Sequence, residues 1–143
     1  MIFRTITIKD HEQLIPFWKD NYFFNELDEY EPFKLFLEKN IGLSFLAEDN
    51  GEIVGTVLGS FDGRRGYIQK LVVRKDYRKQ GLGKQLIEKV IMALQKAGAL
   101  YIPINAEEKF VSFYEKCGFK TTTQVPMSIS YSTFPLLPSI PQN

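Results

Sequence analysis

Basic residues and glycines between Arg78 and Lys84 have the types and spacing that suit phosphate binding. Gly81 and Gly83 allow the backbone to turn tightly and to approach a ligand closely. A helix beginning here would point free N–H groups, which carry partial positive charge, at phosphate oxygens. Arg78, Lys79 and Lys84 add full positive charges. Because each contact at a helix end is worth about 0.3 to 2 kcal/mol, several together could hold a diphosphate.

Three known phosphate-binding patterns were compared with this segment. The dinucleotide pattern G-x-G-x-x-G fails at its third glycine, where the chain has Leu86. The nucleotide-loop pattern G-x-x-x-x-G-K-[ST] fails because Gln85 replaces the hydroxyl residue. The pattern R-x-x-G-x-G matches completely from Arg78 to Gly83. The third pattern therefore describes the segment best.

The elements around this segment predict a βαβ unit with parallel strands. The segment 67–73 indicates a strand, and Leu82, Leu86, Val90 and Leu94 mark one face of a helix over 81–97. A short apolar run over 100–104 predicts the next strand. Because a strand, a long helix and a strand follow one another, the two strands should be parallel.

The remaining segments predict an α/β domain over 1–131. Strands are expected over 2–8, 43–48 and 52–59, the last two joined as a hairpin by Asp49-Asn50-Gly51. Two helices should begin near His11 and Pro32, and a fourth helix near Glu107. One or two strands are expected over 119–131, and the proline-rich tail 132–143 should be extended or disordered.

Two blocks of the sequence together resemble the general-control-related N-acetyltransferases, the GNAT superfamily. The first is Arg78-x-x-Gly81-x-Gly83 after Leu71-Val72-Val73, and the second is Asn105 followed by the run from Phe113 to Phe119. The resemblance covers about residues 2 to 131. The stretch from Gly55 to Gly66 is also similar to the small YpeA-like bacterial branch. The resemblance implies an α+β three-layer fold, with a mixed sheet of six to seven strands, splayed parallel strands 4 and 5, and about four helices.

The resemblance also implies a donor site for acetyl-coenzyme A and direct acetyl transfer to a primary amine. Tyr114 matches the tyrosine that protonates the leaving thiolate, and proton donation of this kind is typically worth about 10² to 10⁴-fold in rate. The backbone of the fourth strand would hold the pantetheine arm, and the amides of the following loop would hold the diphosphate. The implied donor-site residues are Leu71, Val72, Val73, Arg78, Lys79, Gln80, Gly81, Leu82, Gly83, Lys84 and Asn105.

The sequence defines the acceptor site and the general base less clearly than it defines the donor site. Some relatives place a carboxylate on the fourth strand, but this chain has Tyr67, Gln69 and Lys70 there. The amine, with a pKa of about 10, must lose a proton before it attacks. A water relay or a carboxylate is therefore expected to serve as base. The candidates in the acidic and aromatic segment are Glu26, Asp28 and Glu29, which with Tyr67 are predicted to form the acceptor site.

Charge and composition restrict the other function classes. Eight basic residues and one acid lie between Arg64 and Lys84, although the formal net charge of the 143-residue chain is only +1. The basic window could also form a nucleic-acid surface, but aromatic residues are sparse there and no nucleic-acid motif appears. One cysteine and one histidine make a zinc site improbable. We expect a cytoplasmic protein without a metal, nucleic-acid or membrane partner, with a small-molecule or peptide amine as acceptor.

The missing carboxylate on the fourth strand and the apolar tail each lead to a further expectation. A protein of this fold that binds acyl-coenzyme A as a sensor, without transfer, is the alternative suggested by the missing carboxylate on the fourth strand. The apolar, proline-rich tail could contact a second copy of the chain, so a homodimer is also an expectation.

Overall fold

The computed structural model describes residues 1–130, which form four strands and four α-helices. The strands make one antiparallel sheet in the order β1-β2-β3-β4. This confirms the predicted α/β class and the predicted number of helices. The elements are β1 (Ile2–Thr5), α1 (His11–Asn21), α2 (Tyr30–Lys39), β2 (Phe45–Asp49), β3 (Glu52–Phe61), β4 (Gly66–Val73), α3 (Leu82–Ala97) and α4 (Val111–Lys116).

The prediction of a mixed sheet of six to seven strands with parallel strands 4 and 5 is wrong for residues 1–130. In the described part of the chain after β4, one parallel bridge forms, between Arg65 and Tyr101. There the amide of Gly66 donates to the carbonyl of Tyr101 over 2.9 Å. Pro103, two residues later, has no amide hydrogen and cannot extend a ladder. The segment 100–104 therefore leaves β4 instead of continuing beside it.

The expected strands near the C-terminal end are also absent from the described residues. Residues 119–130 contain no strand, and Pro126 lies within this segment. Residues 120–130 are exposed, including the apolar Val125, Met127 and Ile129. Alternating residue types do not form a strand unless a neighbouring edge supplies ladder hydrogen bonds. Residue 131 and the predicted tail 132–143 lie outside the described residues.

Each face of the sheet packs against its own helices. Trp18 of α1 and Phe33 of α2 are buried in one cluster, with their rings 5.6 Å apart in an edge-to-face arrangement. Leu86 and Val90 of α3 are fully buried in the second cluster on the other face. The sheet thus fixes the start of α3 relative to the end of α1. No helix within residues 1–130 has both the length and the apolar character needed to cross a bilayer.

A glycine of β3 allows α3 to lie directly against the sheet. A Cβ atom added at Gly59 would overlap the carbonyl oxygen of Leu43 and lie 2.7 Å from Val90 Cγ2. Because a backbone oxygen cannot move aside as a flexible side chain can, only glycine fits this position. This close approach sets the distance between the middle of α3 and β3.

The alternation of side chains along β4 changes at one extra residue, Lys70. After the Thr56–Val72 pair, β4 has two residues where β3 has one, which is a β-bulge. Lys70 adopts φ = 53°, in the left-handed region. Its carbonyl accepts a hydrogen bond from the Thr56 hydroxyl over 3.0 Å. Because of the bulge, Ile68 packs in the cluster that contains α3, whereas Val72 packs in the cluster that contains α1 and α2. The Lys70 side chain lies beside the end of α1.

We expect T56V to lower the free energy of unfolding by about 2 to 6 kcal/mol. The fully buried Thr56 hydroxyl accepts from Trp18 Nε1 over 3.0 Å and donates to the carbonyl of Lys70. Valine would leave both partners buried and unpaired, at about 1 to 3 kcal/mol each. T56S, the matched control, keeps the hydroxyl and should cost only about 1 kcal/mol for the lost methyl group. Urea unfolding measures both; equal destabilisation would show that the hydroxyl does not support the bulge.

Candidate active site

A cavity of about 800 Å³ runs along β4 from the start of α3 to the segment that joins α1 to α2. It opens here because β4 is paired with β3 on one edge only, and the segment after Tyr101 turns away from the other edge. Most residues predicted to act in the site line this single cavity. They are Asp28, Tyr67, Leu71, Val72, Val73, Arg78, Lys79, Gly81, Leu82, Gly83, Lys84, Asn105 and Tyr114.

Three of the predicted residues are not part of the cavity lining. Gln80 lies in the loop before α3, and its side chain donates to the carbonyl of Asp76 over 3.2 Å. Glu26 and Glu29 flank Asp28 in the segment between α1 and α2, but only Asp28 reaches the cavity. The acidic segment therefore presents one of its three predicted carboxylates to this space.

The start of α3 presents backbone N–H groups at one end of the cavity. Gly81 has φ = 83° and Lys79 has φ = 63°, so the loop reaches the helix through left-handed conformations. The carbonyl of Gly81 accepts the first helical hydrogen bond, from the amide of Gln85 over 3.1 Å. The amides of residues 82–84 precede this bond and point out of the helix end. Because glycine has no side-chain oxygen to cap them, they suit a bound anion.

Arg78 connects the loop that precedes α3 to the ends of β4 and α1. Its Nε donates to the carbonyl of Val73, the last residue of β4, over 3.0 Å. Its Nη2 donates to the carbonyl of Asn21, the last residue of α1, over 3.1 Å. The guanidinium therefore fixes the loop and also brings positive charge to the cavity wall. The side chains of Lys79 and Lys84 line the same end.

Tyr114 of α4 lies in the middle part of the cavity wall. Its ring makes edge-to-face contacts with the rings of Phe113 and Phe119, whose centroids are 5.1 and 5.7 Å away. Burial, together with the nearby Tyr22 and Glu107, raises the pKa of Tyr114 to about 12. The phenol therefore keeps its proton throughout the neutral and moderately basic range.

Sequence reasoning missed a buried ion pair at the far end of the cavity. Lys70 Nζ lies 2.9 Å from Asp28 Oδ2, and each side chain is only 6% exposed. The sequence placed Lys70 on the fourth strand, where some relatives have a carboxylate, but nothing in it signals the left-handed conformation of Lys70 or its pairing with Asp28. A signal for Asp28 did exist, because Asn25 three residues earlier gives the spacing of a capping box. The Asp28 carboxylate indeed accepts from the amide of Asn25 over 3.0 Å.

Glu107 is a second residue whose place in the site the sequence did not indicate. The sequence indicates only an acid at a helix start, whereas Glu107 lines the cavity beside Tyr114. Its charge contributes to the raised pKa of Tyr22, which burial raises most. Lys109 Nζ is 3.6 Å from its carboxylate, and both side chains are more than half exposed. Such an exposed pair is worth little, so Lys109 can release the carboxylate to a bound cation at small cost.

The cavity continues beyond Tyr67 and Asn105. Both residues also line a second cavity of about 550 Å³, which lies near the C-terminal end of α2 and includes Lys39, Arg65 and Pro103. The two cavities therefore lie on two sides of Tyr67 and Asn105, in the gap between β4 and the segment 100–105. Among the residues described, no three His, Cys, Asp or Glu side chains form a group that could hold a metal ion.

Comparisons with known proteins agree with this geometry. The sequence profile of the acetyltransferase (GNAT) family matches residues 10–119. An acetyltransferase of Pectobacterium atrosepticum is 37% identical over 82 residues, which are 55% of this chain and 58% of that protein. The chain thus spans little more than half the length of this curated relative.

Two solved structures show the same fold. Glucosamine-6-phosphate N-acetyltransferase from Arabidopsis thaliana has a TM-score of 0.71 and 21% identity, covering 91% of this chain and 97% of that one. Aminoglycoside 6'-N-acetyltransferase from Acinetobacter haemolyticus has a TM-score of 0.72 and 13% identity, covering 91% and 98%. At these identities the likeness concerns the fold alone.

Proposed function

The chain belongs to the acetyltransferase (GNAT) family, and we propose that it transfers the acetyl group of acetyl-coenzyme A directly to a primary amine. The observation that carries this proposal is the continuity of one cavity, which joins the anion-suited start of α3 to Tyr114 and then to Lys70. A donor at one end and an acceptor at the other would meet beside Tyr114. Positioning two reactants in this way supplies much of the rate enhancement of such a transfer.

The donor end has the groups that acetyl-coenzyme A requires. The amides of Gly81 to Lys84 and the side chains of Arg78 and Lys79 would hold the diphosphate. Leu71, Val72 and Val73 would contact the pantetheine arm through the backbone edge of β4, with Asn105 on the opposite side. The donor supplies an acetyl group already activated as a thioester.

Tyr114 would act as the general acid. The neutral amine nitrogen forms a bond to the acetyl carbon, the carbon–sulfur bond breaks, and the Tyr114 hydroxyl gives its proton to the leaving sulfur. The nitrogen gives up one further proton as the amide forms, and this proton restores the Tyr114 hydroxyl. The acceptor enters as an ammonium and must first lose a proton. Since Asp28 is paired with Lys70, we propose that water in the cavity carries this proton away.

Calorimetric titration with acetyl-coenzyme A tests the donor site. We expect micromolar binding of acetyl-coenzyme A and no comparable binding of NAD or ATP, because the loop matches neither of their patterns. Failure to bind acetyl-coenzyme A would contradict both the transferase and the sensor without transfer. Salt-sensitive binding of DNA or RNA that acetyl-coenzyme A does not displace would instead favour a nucleic-acid surface.

The pH dependence of kcat tests the state of Tyr114. An ordinary phenol has a pKa of 10.0, whereas burial raises the pKa of Tyr114 to about 12. A raised pKa keeps the acid protonated as the pH rises, so its proton remains available up to about pH 11. At saturating substrates, kcat should therefore not fall between about pH 8 and pH 10. A descending limb with a midpoint near 10 would contradict this assignment.

Three finer proposals accompany the transfer activity. Similarity of the Gly55–Gly66 stretch supports a place in the YpeA-like branch. The exposed apolar residues Leu100, Met127 and Ile129 support a homodimer, which size-exclusion chromatography with light scattering would test. The cytoplasmic location stays a prediction from the single cysteine.

A further inference from the structure

The acceptor end of the cavity contains an ammonium group of the protein itself. Lys70 Nζ donates to the carbonyl of Phe23 over 2.6 Å and is paired with Asp28. It lies 3.9, 4.9 and 5.6 Å from the ring centroids of Phe23, Trp18 and Tyr22. Rings and a carboxylate around an ammonium make up a typical cation site. In this protein the occupant of that site is a side chain.

The conformation of β4 holds this ammonium in place. The extra residue of the bulge turns the Lys70 side chain toward the end of α1, and the Thr56 hydroxyl donates a hydrogen bond to the Lys70 carbonyl. Lys70 and Asp28 are both less than a tenth exposed. Burial lowers the pKa of Lys70, and the hydrogen bond and charge of Asp28 act in the opposite direction. The pair therefore belongs to the wall of the cavity and is not a mobile surface contact.

This pair changes the charge that an acceptor meets. The carboxylates of the described cavity lining are those of Asp28 and Glu107. Lys70 neutralises Asp28, so Glu107 beside Tyr114 is the carboxylate left to attract an acceptor ammonium. The wall beyond it is largely apolar, with Tyr22, Phe23 and Leu27.

We infer that the acceptor is an amine with a single positive charge and an apolar body, and that Lys70 excludes a second cation from the acceptor end. This inference rests on the proposed acetyl transfer. The reacting amine would enter as an ammonium near Glu107, and the apolar body would lie against Tyr22 and Phe23. A second ammonium there would lose its water and be repelled by Lys70, because the cation site is already filled. Lys70 would thus give specificity against acceptors with two positive charges by repelling them.

Two amines of equal length test the inference. Hexylamine and 1,6-diaminohexane differ only in a second ammonium at the far end, and thiol release from acetyl-coenzyme A follows both reactions. With two reactive amines, the diamine would have a twofold higher kcat/KM if the far end made no difference. We expect kcat/KM for hexylamine to be at least about tenfold higher.

The K70M variant identifies the residue responsible. Without the ammonium, Asp28 and the rings around it can receive the far end of the diamine, so the preference for hexylamine should fall at least about fivefold. K96M makes the same change on the exposed Lys96 of α3, outside the cavity, and should keep the wild-type preference. K70M/D28N leaves no unpaired carboxylate and tests the repulsion alone if K70M does not fold. The preference for hexylamine should still fall, because Lys70 no longer repels the far ammonium and the rings around it remain.

Each outcome decides between the inference and the proposed function. If the wild type uses the diamine as well as or better than hexylamine, acetyl transfer stands and the inference about the acceptor is wrong. An unchanged preference in both Lys70 variants would also overturn it. Binding of acetyl-coenzyme A without thiol release from either amine would contradict the transfer, and the inference would fail with it.

Discussion

Y114F should lower kcat by about 10² to 10⁴-fold while the Kd for acetyl-coenzyme A stays within about twofold. The substitution removes one hydroxyl and keeps the ring that packs against Phe113 and Phe119. Because the hydroxyl is proposed to give its proton to the leaving sulfur, its loss affects the chemical step and not donor binding. Steady-state kinetics with saturating amine, together with calorimetry, separates the two quantities.

A matched variant controls for the loss of a phenol hydroxyl as such. Tyr101 is exposed and lies outside the lining of both cavities, so Y101F should leave kcat unchanged. A Y114F protein that keeps more than about a tenth of the wild-type kcat would show that another group protonates the leaving sulfur. Unfolding by urea should give similar midpoints for Y114F and the wild type.

G83D should weaken binding of acetyl-coenzyme A by about 100-fold or more. An added Cβ at Gly83 would lie 3.3 Å from Phe113 Cζ, and the carboxylate would stand where the diphosphate must approach the amides of α3. An acidic residue in the first turn of a helix is favourable for the helix itself. We therefore expect the fold to remain and the donor to be repelled.

G83A separates bulk from charge in this test. It adds only the methyl group, so it should cost much less binding than G83D, and the difference between the two should shrink at high salt. Calorimetry at about 50 mM and about 500 mM salt measures this. If G83D bound acetyl-coenzyme A within about threefold of G83A at low salt, the diphosphate would not lie at the start of α3.

Local patterns were sufficient to predict the β2–β3 hairpin and the long helix α3. The turn Asp49-Asn50-Gly51 predicts the β2–β3 hairpin, and both Asn50 and Gly51 have positive φ. The apolar spacing of α3 and its glycines at each end predict its extent to within one residue, with Gly98 left-handed after the last turn. Such features depend on neighbours in the sequence, so one chain is enough to reveal them.

Features that depend on distant contacts were not predicted. Pro103 limits the pairing of the segment 100–104 to the bridge between Tyr101 and Arg65, although the apolar run around Pro103 is typical of a strand. The bulge at Lys70 depends on Thr56, fourteen residues earlier, and the partner of Lys70 comes from the segment after α1. The sequence placed Glu26, Asp28 and Glu29 together, but only the fold decides which of them faces the cavity.

The measurement that tests the central claim most directly is the initial rate of thiol release at varied concentrations of acetyl-coenzyme A and hexylamine, with the acetylated amine identified by mass spectrometry. Direct transfer predicts amine-dependent release, one acetylamide per thiol, and double-reciprocal lines that intersect. Parallel lines would indicate an acetylated enzyme. Tight binding of acetyl-coenzyme A with no amine-dependent release would contradict the account and favour a sensor.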